Sequence, residues 1–229
     1  MSDRYTSAII VAAGNSTRMG SGVSKQLMPL NGRPAIEYTI RAFQNCALID
    51  EIIVVARPQD IEDIAYTAFT YKKVSAVVKG GAERCESVRL GIRAASKSAT
   101  HFAIHDGARP LITPAAITRV LEKAYECGAA ASGTPVTDTI KVVSPEMEIQ
   151  STPDRSTLYA VQTPQVFERS LYLRAIDNAL ACGLRVTDDC AMVEAIGEKV
   201  AVVKGEYTNI KLTTPADIPI AEAILSRRR

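Results

Sequence analysis

The sequence has little of several features that would each indicate a particular class of protein. Its 229 residues carry 27 Lys+Arg against 25 Asp+Glu, a net charge of +2, whereas nucleic-acid-binding proteins usually present a strongly basic face. No apolar run approaches the ~18 residues of a membrane span, and the start of the chain lacks the layout of a signal peptide. We therefore expect no nucleic-acid partner and no membrane insertion.

Cysteine and histidine are too few and too scattered for a metal site or a disulfide framework. The five cysteines include no Cys-x-x-Cys pair, and their number is odd. The two histidines, His101 and His105, have no second metal ligand at a suitable spacing. Free thiols without an export signal are typical of the cytoplasm, which is where we expect the protein.

Two common nucleotide-binding signatures are also missing. The loop that follows the first apolar run contains neither the GxxxxGK[ST] of a P-loop nor the GxGxxG of a dinucleotide-binding fold. No ribose-binding acid follows at the expected spacing either. These absences argue against a P-loop protein and against an NAD-dependent dehydrogenase.

What the sequence does have is a regular alternation of strand and helix patterns. Continuous apolar runs predict buried strands at 7–13, 51–56, 74–78, 101–105, 129–134 and 199–203. Helical patterns and their caps predict helices at about 34–46, 59–71, 83–96, 114–127, 168–182, 188–196 and 215–225. The alternation predicts an α/β fold with a doubly wound, mostly parallel Rossmann-like sheet, in a single domain over residues 1–229.

One stretch, residues 136–160, departs from the alternation of strands and helices. Two β-like segments at 138–144 and 157–161 flank a polar turn, which predicts a β-hairpin arm protruding from the sheet. An extended hairpin needs a partner to bury it. We therefore expect a homodimer formed through the arm; the alternative is that the arm folds back on its own domain.

The loop after the first strand is the strongest functional signal. Small residues there, such as Gly14, let a ligand approach the backbone, whose successive N–H groups make an anion nest. Arg18 and Lys25 add two positive charges, although either residue alone would be ordinary solvated charge. At the carboxyl edge of an open sheet, these backbone N–H groups and two cationic side chains predict a site for a nucleoside triphosphate.

Two further stretches follow buried strands in the same way. Gly80-Gly81 again indicates close backbone approach, and Ser87, one turn into the next helix, could bond a base or simply a helix carbonyl. Asp106 ends another strand, where a carboxylate could hold Mg²⁺ or a hydroxyl, or merely cap a turn. The neighbouring Arg109 favours the functional interpretation, and His105 is expected to pack and to orient its neighbours.

Together these stretches resemble the 2-C-methyl-D-erythritol 4-phosphate cytidylyltransferase family. The matching pieces follow the family's order over nearly the whole chain: Ala12-Ala-Gly…Arg18-Met-Gly, Lys25-Gln, Gly80-Gly-x-Glu-Arg-x-x-Ser87-Val, His105-Asp-x-Ala-Arg-Pro110, Pro135-Val-x-Asp-Thr139, Thr163-Pro-Gln, Thr187-Asp and Asn209-Ile-Lys. The resemblance implies transfer of a cytidylyl group from CTP to 2-C-methyl-D-erythritol 4-phosphate, with Mg²⁺ as cofactor. The products would be 4-diphosphocytidyl-2-C-methyl-D-erythritol and pyrophosphate, in isoprenoid precursor synthesis.

The resemblance also implies that the sheet is of the nucleotidyltransferase type, and it implies roles for some of the matching residues. The implied catalytic residues, which stabilise charge on the reacting phosphates, are Arg18, Lys25 and Lys211. The implied nucleotide-binding residues are Ala12, Ala13, Gly14, Gly81, Ser87 and Asp106. The implied acceptor-binding residues are Asp106, Arg109, Thr139, Arg155, Thr163 and Thr187. Arg155, on the arm, is implied to act in the site of the partner subunit. No metal ligand is assigned with certainty: Asp106 is one candidate, and the alternative is that the CTP phosphates hold the Mg²⁺.

The chain departs from the family's pattern at three positions. Gly107 stands where the family commonly has alanine, Ala82 where aspartate is frequent, and Thr208 where an acidic residue often precedes Asn-Ile-Lys. We therefore assign no metal carboxylate at the last two positions.

Two other functions remain open from the sequence. A ribitol 5-phosphate cytidylyltransferase shares most of these motifs but typically reads Ala-Gly-Gly where this chain has Ala12-Ala13-Gly14. A nucleotide-binding module without catalysis usually lacks the charged residues of the first loop, and here Arg18 and Lys25 are both present.

Overall fold

A seven-stranded sheet forms the centre of the protein, in a computed structural model that describes residues 4–14, 24–184 and 186–228. The strands are β1 (Thr6–Ala12), β2 (Pro29–Leu30), β3 (Arg33–Pro34), β4 (Glu51–Ala56), β5 (Val74–Lys79), β6 (His101–Asp106), β7 (Ala129–Pro135), β8 (Val142–Val143), β9 (Ile149–Ser151), β10 (Tyr159–Glu168) and β11 (Ala201–Lys204). Two antiparallel pairs, β2 with β3 and β8 with β9, lie outside the central sheet.

The order of the central strands is β11-β7-β10-β6-β1-β4-β5. The β1, β4, β5 and β6 strands run parallel to one another, and β11 runs parallel to β7. Among the described strands of this sheet, β10 alone is antiparallel to its neighbours, β6 and β7. The mostly parallel sheet is confirmed, and it brings the carboxyl ends of β1, β4, β5 and β6 to one edge.

Helices cover both faces of the sheet, which confirms the doubly wound arrangement. They are α1 (Ala35–Gln44), α2 (Ile61–Ala68), α3 (Arg84–Ala94), α4 (Pro114–Cys127), α5 (Arg169–Ala181), α6 (Cys190–Glu194) and α7 (Asp217–Ser226), with short 3₁₀ turns at Pro58–Asp60 and Arg155–Thr157. Alternate residues of β1 point to opposite faces: Ile10 packs in the core beneath α1, α2 and α4, and Ile9 in the core beneath α3, α5 and α6.

Local signals in the sequence explain where most helices begin and end. Thr113 caps α4 by accepting a bond from the Ala116 N–H at 3.2 Å, and Gly128 ends it with φ of 84°. The start of α7 differs from the sequence prediction, because the Asp217 carboxylate accepts the N–H groups of Thr213 and Thr214 and delays the helix to Asp217.

The predicted arm pairs differently from expectation. Its first segment forms β8, whose partner is β9, at residues 149–151. The second predicted segment, 157–161, instead leads into β10, where Tyr159 pairs with Pro135 of β7. Side chains of the hairpin are exposed, Met147 by 78% and Ile149 by 65%. Dimerisation through this hairpin stays a prediction.

Among the described residues, no helix is both long enough and apolar enough to cross a membrane.

Candidate active site

A cavity of about 300 Å³ opens at the carboxyl edge of the sheet, where β1, β4, β5 and β6 end. The predicted site residues that line it are Ala13, Gly14, Lys25, Gly81, Ser87, Asp106 and Lys211. Parallel strands explain why residues so distant in sequence meet here. Arg18, predicted to be catalytic, lies outside the described residues.

The wall of the cavity at β1 and β5 is built by close backbone approach. Ala12 is the buried last residue of β1. A Cβ atom on Gly80 would collide with the Cβ of Ala13 and would lie 2.9 Å from the Ser87 Oγ. The Gly81 N–H donates to that Ser87 Oγ at 3.1 Å. Ser87 thus ties the glycine turn to α3, and glycine at position 80 lets the two loops meet.

Asp106 lies at the end of β6 and is surrounded by three cationic side chains. Its Oδ2 lies 2.8 Å from the Lys211 Nζ and 3.6 Å from the Arg109 Nε. Its Oδ1 lies 3.7 Å from an Arg84 guanidinium nitrogen. Burial raises the pKa of Asp106, but Lys211, Arg84 and Arg109 outweigh it and hold the pKa at about 2. The carboxylate is therefore ionised at every physiological pH.

Lys211 is held by the segment around it rather than by an edge strand. The Leu212 N–H donates to the Ala108 carbonyl at 2.8 Å, and an Arg109 guanidinium N–H donates to the Asn209 carbonyl at 2.8 Å. Asn209 is fully buried. These bonds attach the segment to the loop after β6 and place the Lys211 ammonium beside Asp106.

Arg84 is a site residue that the sequence reasoning missed. Its guanidinium lies 2.6 Å from the Oδ2 of Asp189, which is fully buried, and the Tyr172 hydroxyl donates to the other Asp189 oxygen at 2.5 Å. Although burial opposes the charged form, Asp189 and Asp106 raise the pKa of Arg84. The sequence signal was that Arg84 belongs to the matching motif Gly80-Gly-x-Glu-Arg-x-x-Ser87, although no role was assigned to it.

Thr163 lies behind Asp106 rather than on the cavity surface. It is 4% exposed, and its Oγ1 accepts the Asp106 N–H at 3.0 Å. Its hydroxyl also lies 3.0 Å from the Nδ1 of His105.

The remaining predicted acceptor residues do not line the cavity of this chain. Thr139, Arg155 and Thr187 are exposed. An Arg155 guanidinium N–H donates to the Thr137 carbonyl at 2.9 Å, within the same segment. The structure therefore brings together the predicted nucleotide-binding residues with Asp106 and Lys211, but not these three side chains.

The described side chains that line the cavity are positively charged overall. Lys25, Arg57, Arg84 and Lys211 stand against Glu83 and Asp106. Such a cavity suits a polyanion. Among the described residues, no group of three or more His, Cys, Asp or Glu side chains is placed to hold a metal ion.

Comparison with known proteins identifies the family. The profile of the 2-C-methyl-D-erythritol 4-phosphate cytidylyltransferase family, IspD, matches residues 6–227. A relative of that name from Caldanaerobacter subterraneus subsp. tengcongensis is 46% identical over 96% of this chain and 99% of its own. Another of that name from Alkaliphilus oremlandii is 42% identical over 98% of this chain and 96% of its own.

A solved structure has the same fold. The crystal structure of 4-diphosphocytidyl-2C-methyl-D-erythritol synthase from Anaerococcus prevotii superposes with a TM-score of 0.89 at 33% identity, covering 98% of this chain and 97% of that one. These likenesses do not favour the ribitol phosphate alternative. The chain belongs to the 2-C-methyl-D-erythritol 4-phosphate cytidylyltransferase family and is a nucleotidyltransferase.

Proposed function

We propose that this protein binds CTP in the cavity beside Asp106 and transfers its cytidylyl group to 2-C-methyl-D-erythritol 4-phosphate. The observation that carries the proposal is the cluster of Lys211, Arg84 and Arg109 around Asp106, at a cavity that Lys25 also lines. Such a cluster favours the approach of two polyanions, which is the main obstacle to this reaction.

The reaction needs no strong general base. A phosphate monoester has a second pKa near ~6, so the acceptor is already largely ionised at neutral pH. One of its oxygens attacks the α-phosphorus of CTP, the bond from that phosphorus to the bridging oxygen breaks, and pyrophosphate leaves with the electron pair. The proposal accordingly assigns no proton transfer to either histidine.

The charged residues have distinct parts in this step. Arg18 and Lys25 neutralise charge that builds up on the α-phosphate. Lys211, whose side chain is 41% exposed, can bond a phosphate while it remains near Asp106. The wall formed by Ala13, Gly81 and Ser87 holds the nucleoside.

The acceptor completes its site with residues from a second copy of the chain. Asp106 lines the cavity and Arg109 lies 3.6 Å from its carboxylate, so both would hold the methylerythritol phosphate from this subunit. Thr187 is the third residue of this subunit that we assign to the acceptor. Thr139 and Arg155 are exposed on the arm segment, 136–160. In a homodimer, the arm of each subunit would carry them to the acceptor site of its partner.

Magnesium fits this site only as an ion that arrives with the nucleotide. Asp106 is the one carboxylate of the predicted set that lines the cavity, and it is ionised. Mg²⁺ is commonly bound by one or two carboxylates together with substrate phosphates and water. When bound, Mg²⁺ would neutralise charge on the CTP phosphates, and Asp106 would be its protein ligand.

The protein is expected to work in the cytoplasm. Cys46, Cys85, Cys127, Cys182 and Cys190 are all free thiols. Free thiols are characteristic of a reducing compartment.

Pyrophosphate release tests the proposed reaction and its acceptor. We expect release with CTP and 2-C-methyl-D-erythritol 4-phosphate, little release with UTP, ATP or GTP, and none after EDTA removes Mg²⁺. Ribitol 5-phosphate in place of methylerythritol phosphate is the matched control. Faster release with ribitol phosphate would overturn the acceptor, and no release with either acceptor would overturn the reaction.

A further inference from the structure

His105 is fully buried, and both nitrogens of its ring have hydrogen-bond partners. The Nδ1 lies 3.0 Å from the Thr163 Oγ1, and the Nε2 lies 3.3 Å from the carbonyl oxygen of Arg109. The Thr163 Oγ1 also accepts the backbone N–H of Asp106 at 3.0 Å. One imidazole ring thus links the backbone of two residues proposed to bind substrate.

The direction of each hydrogen bond follows from the atoms involved. A carbonyl oxygen can only accept, so the Nε2 of His105 must carry the proton that bonds the Arg109 carbonyl. In a neutral ring the Nδ1 is then an acceptor, and the Thr163 hydroxyl donates to it. The Thr163 oxygen keeps its lone pairs for the Asp106 N–H. The result is a continuous series of hydrogen bonds from the Asp106 N–H through Thr163 and His105 to the Arg109 carbonyl, in which every donor faces an acceptor.

The environment of the ring favours this neutral form. Burial has the largest effect on the pKa of His105 and holds it at about 3; Asp106 acts in the opposite direction, while Arg109 and Lys211 reinforce the shift. The Phe43 ring packs 5.0 Å from the imidazole, centroid to centroid. The hydrogen bonds at both ring nitrogens therefore favour a single tautomer.

The same bonds limit what Thr163 can do. A hydroxyl has one proton to donate, and that of Thr163 is donated to His105. A dianionic phosphate only accepts hydrogen bonds. Thr163 could therefore bind the acceptor's phosphate only by giving up its bond to His105.

We propose that His105 and Thr163 are positioning residues, which act through the backbone of Asp106 and Arg109 to hold those side chains at the cavity. This inference rests on the proposed function and gives Thr163 a part in the reaction other than direct substrate contact. The Thr163 bond fixes the end of β6, and the Nε2 bond fixes the turn after it. Loss of either bond would let the Asp106 carboxylate shift relative to bound CTP.

NMR of ¹⁵N-labelled histidine tests the ring without any need for turnover. In the wild-type protein at pH 8, His105 should give the signals of a ring that carries its proton on Nε2 and none on Nδ1, as its two hydrogen-bond partners require. A His105→Gln variant assigns the signals, because only His101 remains. A proton on Nδ1 would overturn the proposal.

Steady-state kinetics then separate positioning from substrate contact. We expect Thr163→Val and His105→Gln each to lower kcat about tenfold or more at saturating substrates, because small displacements in a reacting site are costly. The double variant should be no slower than the slower single variant, since both substitutions interrupt the same series of hydrogen bonds. Thr163→Ser keeps the hydroxyl and should restore kcat to within about threefold of wild type.

Thr6→Val is the matched control for loss of a buried threonine hydroxyl. Thr6 is fully buried, its Oγ1 lies 2.6 Å from the Tyr125 hydroxyl, and it begins β1 at the edge away from the cavity. This variant should keep wild-type kcat. A Thr163→Val protein with normal kcat and a raised KM for the acceptor alone would overturn the proposal, as would additive losses in the double variant. A wild-type protein with no turnover would refute the proposed function instead, and the NMR result would still decide the state of the ring.

Discussion

Asp106 has two roles that follow from its neighbours. Lys211, Arg84 and Arg109 keep its carboxylate ionised, and the carboxylate keeps those cations at the cavity before any phosphate arrives. The three cations exceed the two carboxylates that they contact, Asp106 and Asp189, so one positive charge remains for the substrates. Asp189 fixes Arg84 from the other side at 2.6 Å. Removal of Lys211, which is 41% exposed, should therefore affect catalysis more than folding, whereas removal of Arg84 would also leave the buried Asp189 without its partner.

Lys25→Ala is the first prediction at the residue scale. Loss of one preorganised charge contact typically costs ~3 kcal/mol, or ~10² in rate, so we expect kcat to fall by at least that factor. Thermal unfolding followed by circular dichroism should be unchanged. The exposed Lys199 gives the matched control, Lys199→Ala, which should keep wild-type kcat. Near-wild-type turnover of Lys25→Ala would remove Lys25 from the mechanism.

The pH dependence of stability is a second prediction at this scale. Burial lowers the pKa of His105 from 6.5 to about 3, so between these values the unfolded chain binds a proton that the folded chain does not. Acidification below pH 6.5 therefore destabilises the protein, with a slope that rises towards ~1.4 kcal/mol per pH unit as this one proton binds fully to the unfolded chain. The free energy of unfolding of His105→Gln should fall less steeply by that amount.

Urea denaturation at pH 5 and at pH 6.5 measures the difference between the two proteins. Other groups contribute equally to both, so the comparison isolates His105. Identical pH slopes for wild type and His105→Gln would mean that the buried ring is protonated as easily as in the unfolded chain.

At the scale of elements, the arm segment links structure to catalysis. Thr139 and Arg155 belong to the proposed acceptor site, yet they are exposed and do not line the cavity of their own chain. If Arg155 acts in the partner's site, two different inactive variants should complement each other. Lys25→Ala and Arg155→Ala form such a pair.

In a mixed dimer of these two variants, one site has both substitutions and the other has neither. Random subunit exchange makes half of the dimers mixed, so activity should rise from near zero to about a quarter of the wild-type value. Either variant alone, exchanged with itself, is the control. No recovery in a mixture that sedimentation shows to have exchanged would place Arg155 in the site of its own chain.

The elements also differ in how well the sequence predicts them. Buried parallel strands such as β4, at 51–56, are continuous apolar runs and were predicted with correct bounds. The β10 strand was only partly predicted, because Gln162, Thr163 and Gln165 interrupt its apolar pattern. Those polar side chains are buried and make specific hydrogen bonds. Hydrogen bonds to residues distant in sequence stabilise β10, and the local sequence pattern does not predict such bonds.

At the scale of the whole molecule, the sheet order explains how much of the site was predictable. Parallel strands place the loops after β1, β5 and β6 at one edge, so Gly14, Gly81 and Asp106 were expected to meet. The partnership of Arg84 with Asp189 was not predicted, since it joins α3 to the start of α6 across the fold. Such a contact depends on how the helices pack on the sheet, which no spacing in the sequence specifies.

The central claim is that CTP binds in the cavity at the carboxyl edge of β1, β5 and β6. Backbone amide NMR during titration with CTP and Mg²⁺ tests it most directly. We predict the largest chemical-shift changes at the amides of Ala13, Gly81 and Ser87. A second cavity of the protein, which Arg33, Arg41 and Arg228 line, should show little change. Shifts concentrated at that second cavity, with the first unchanged, would contradict the account.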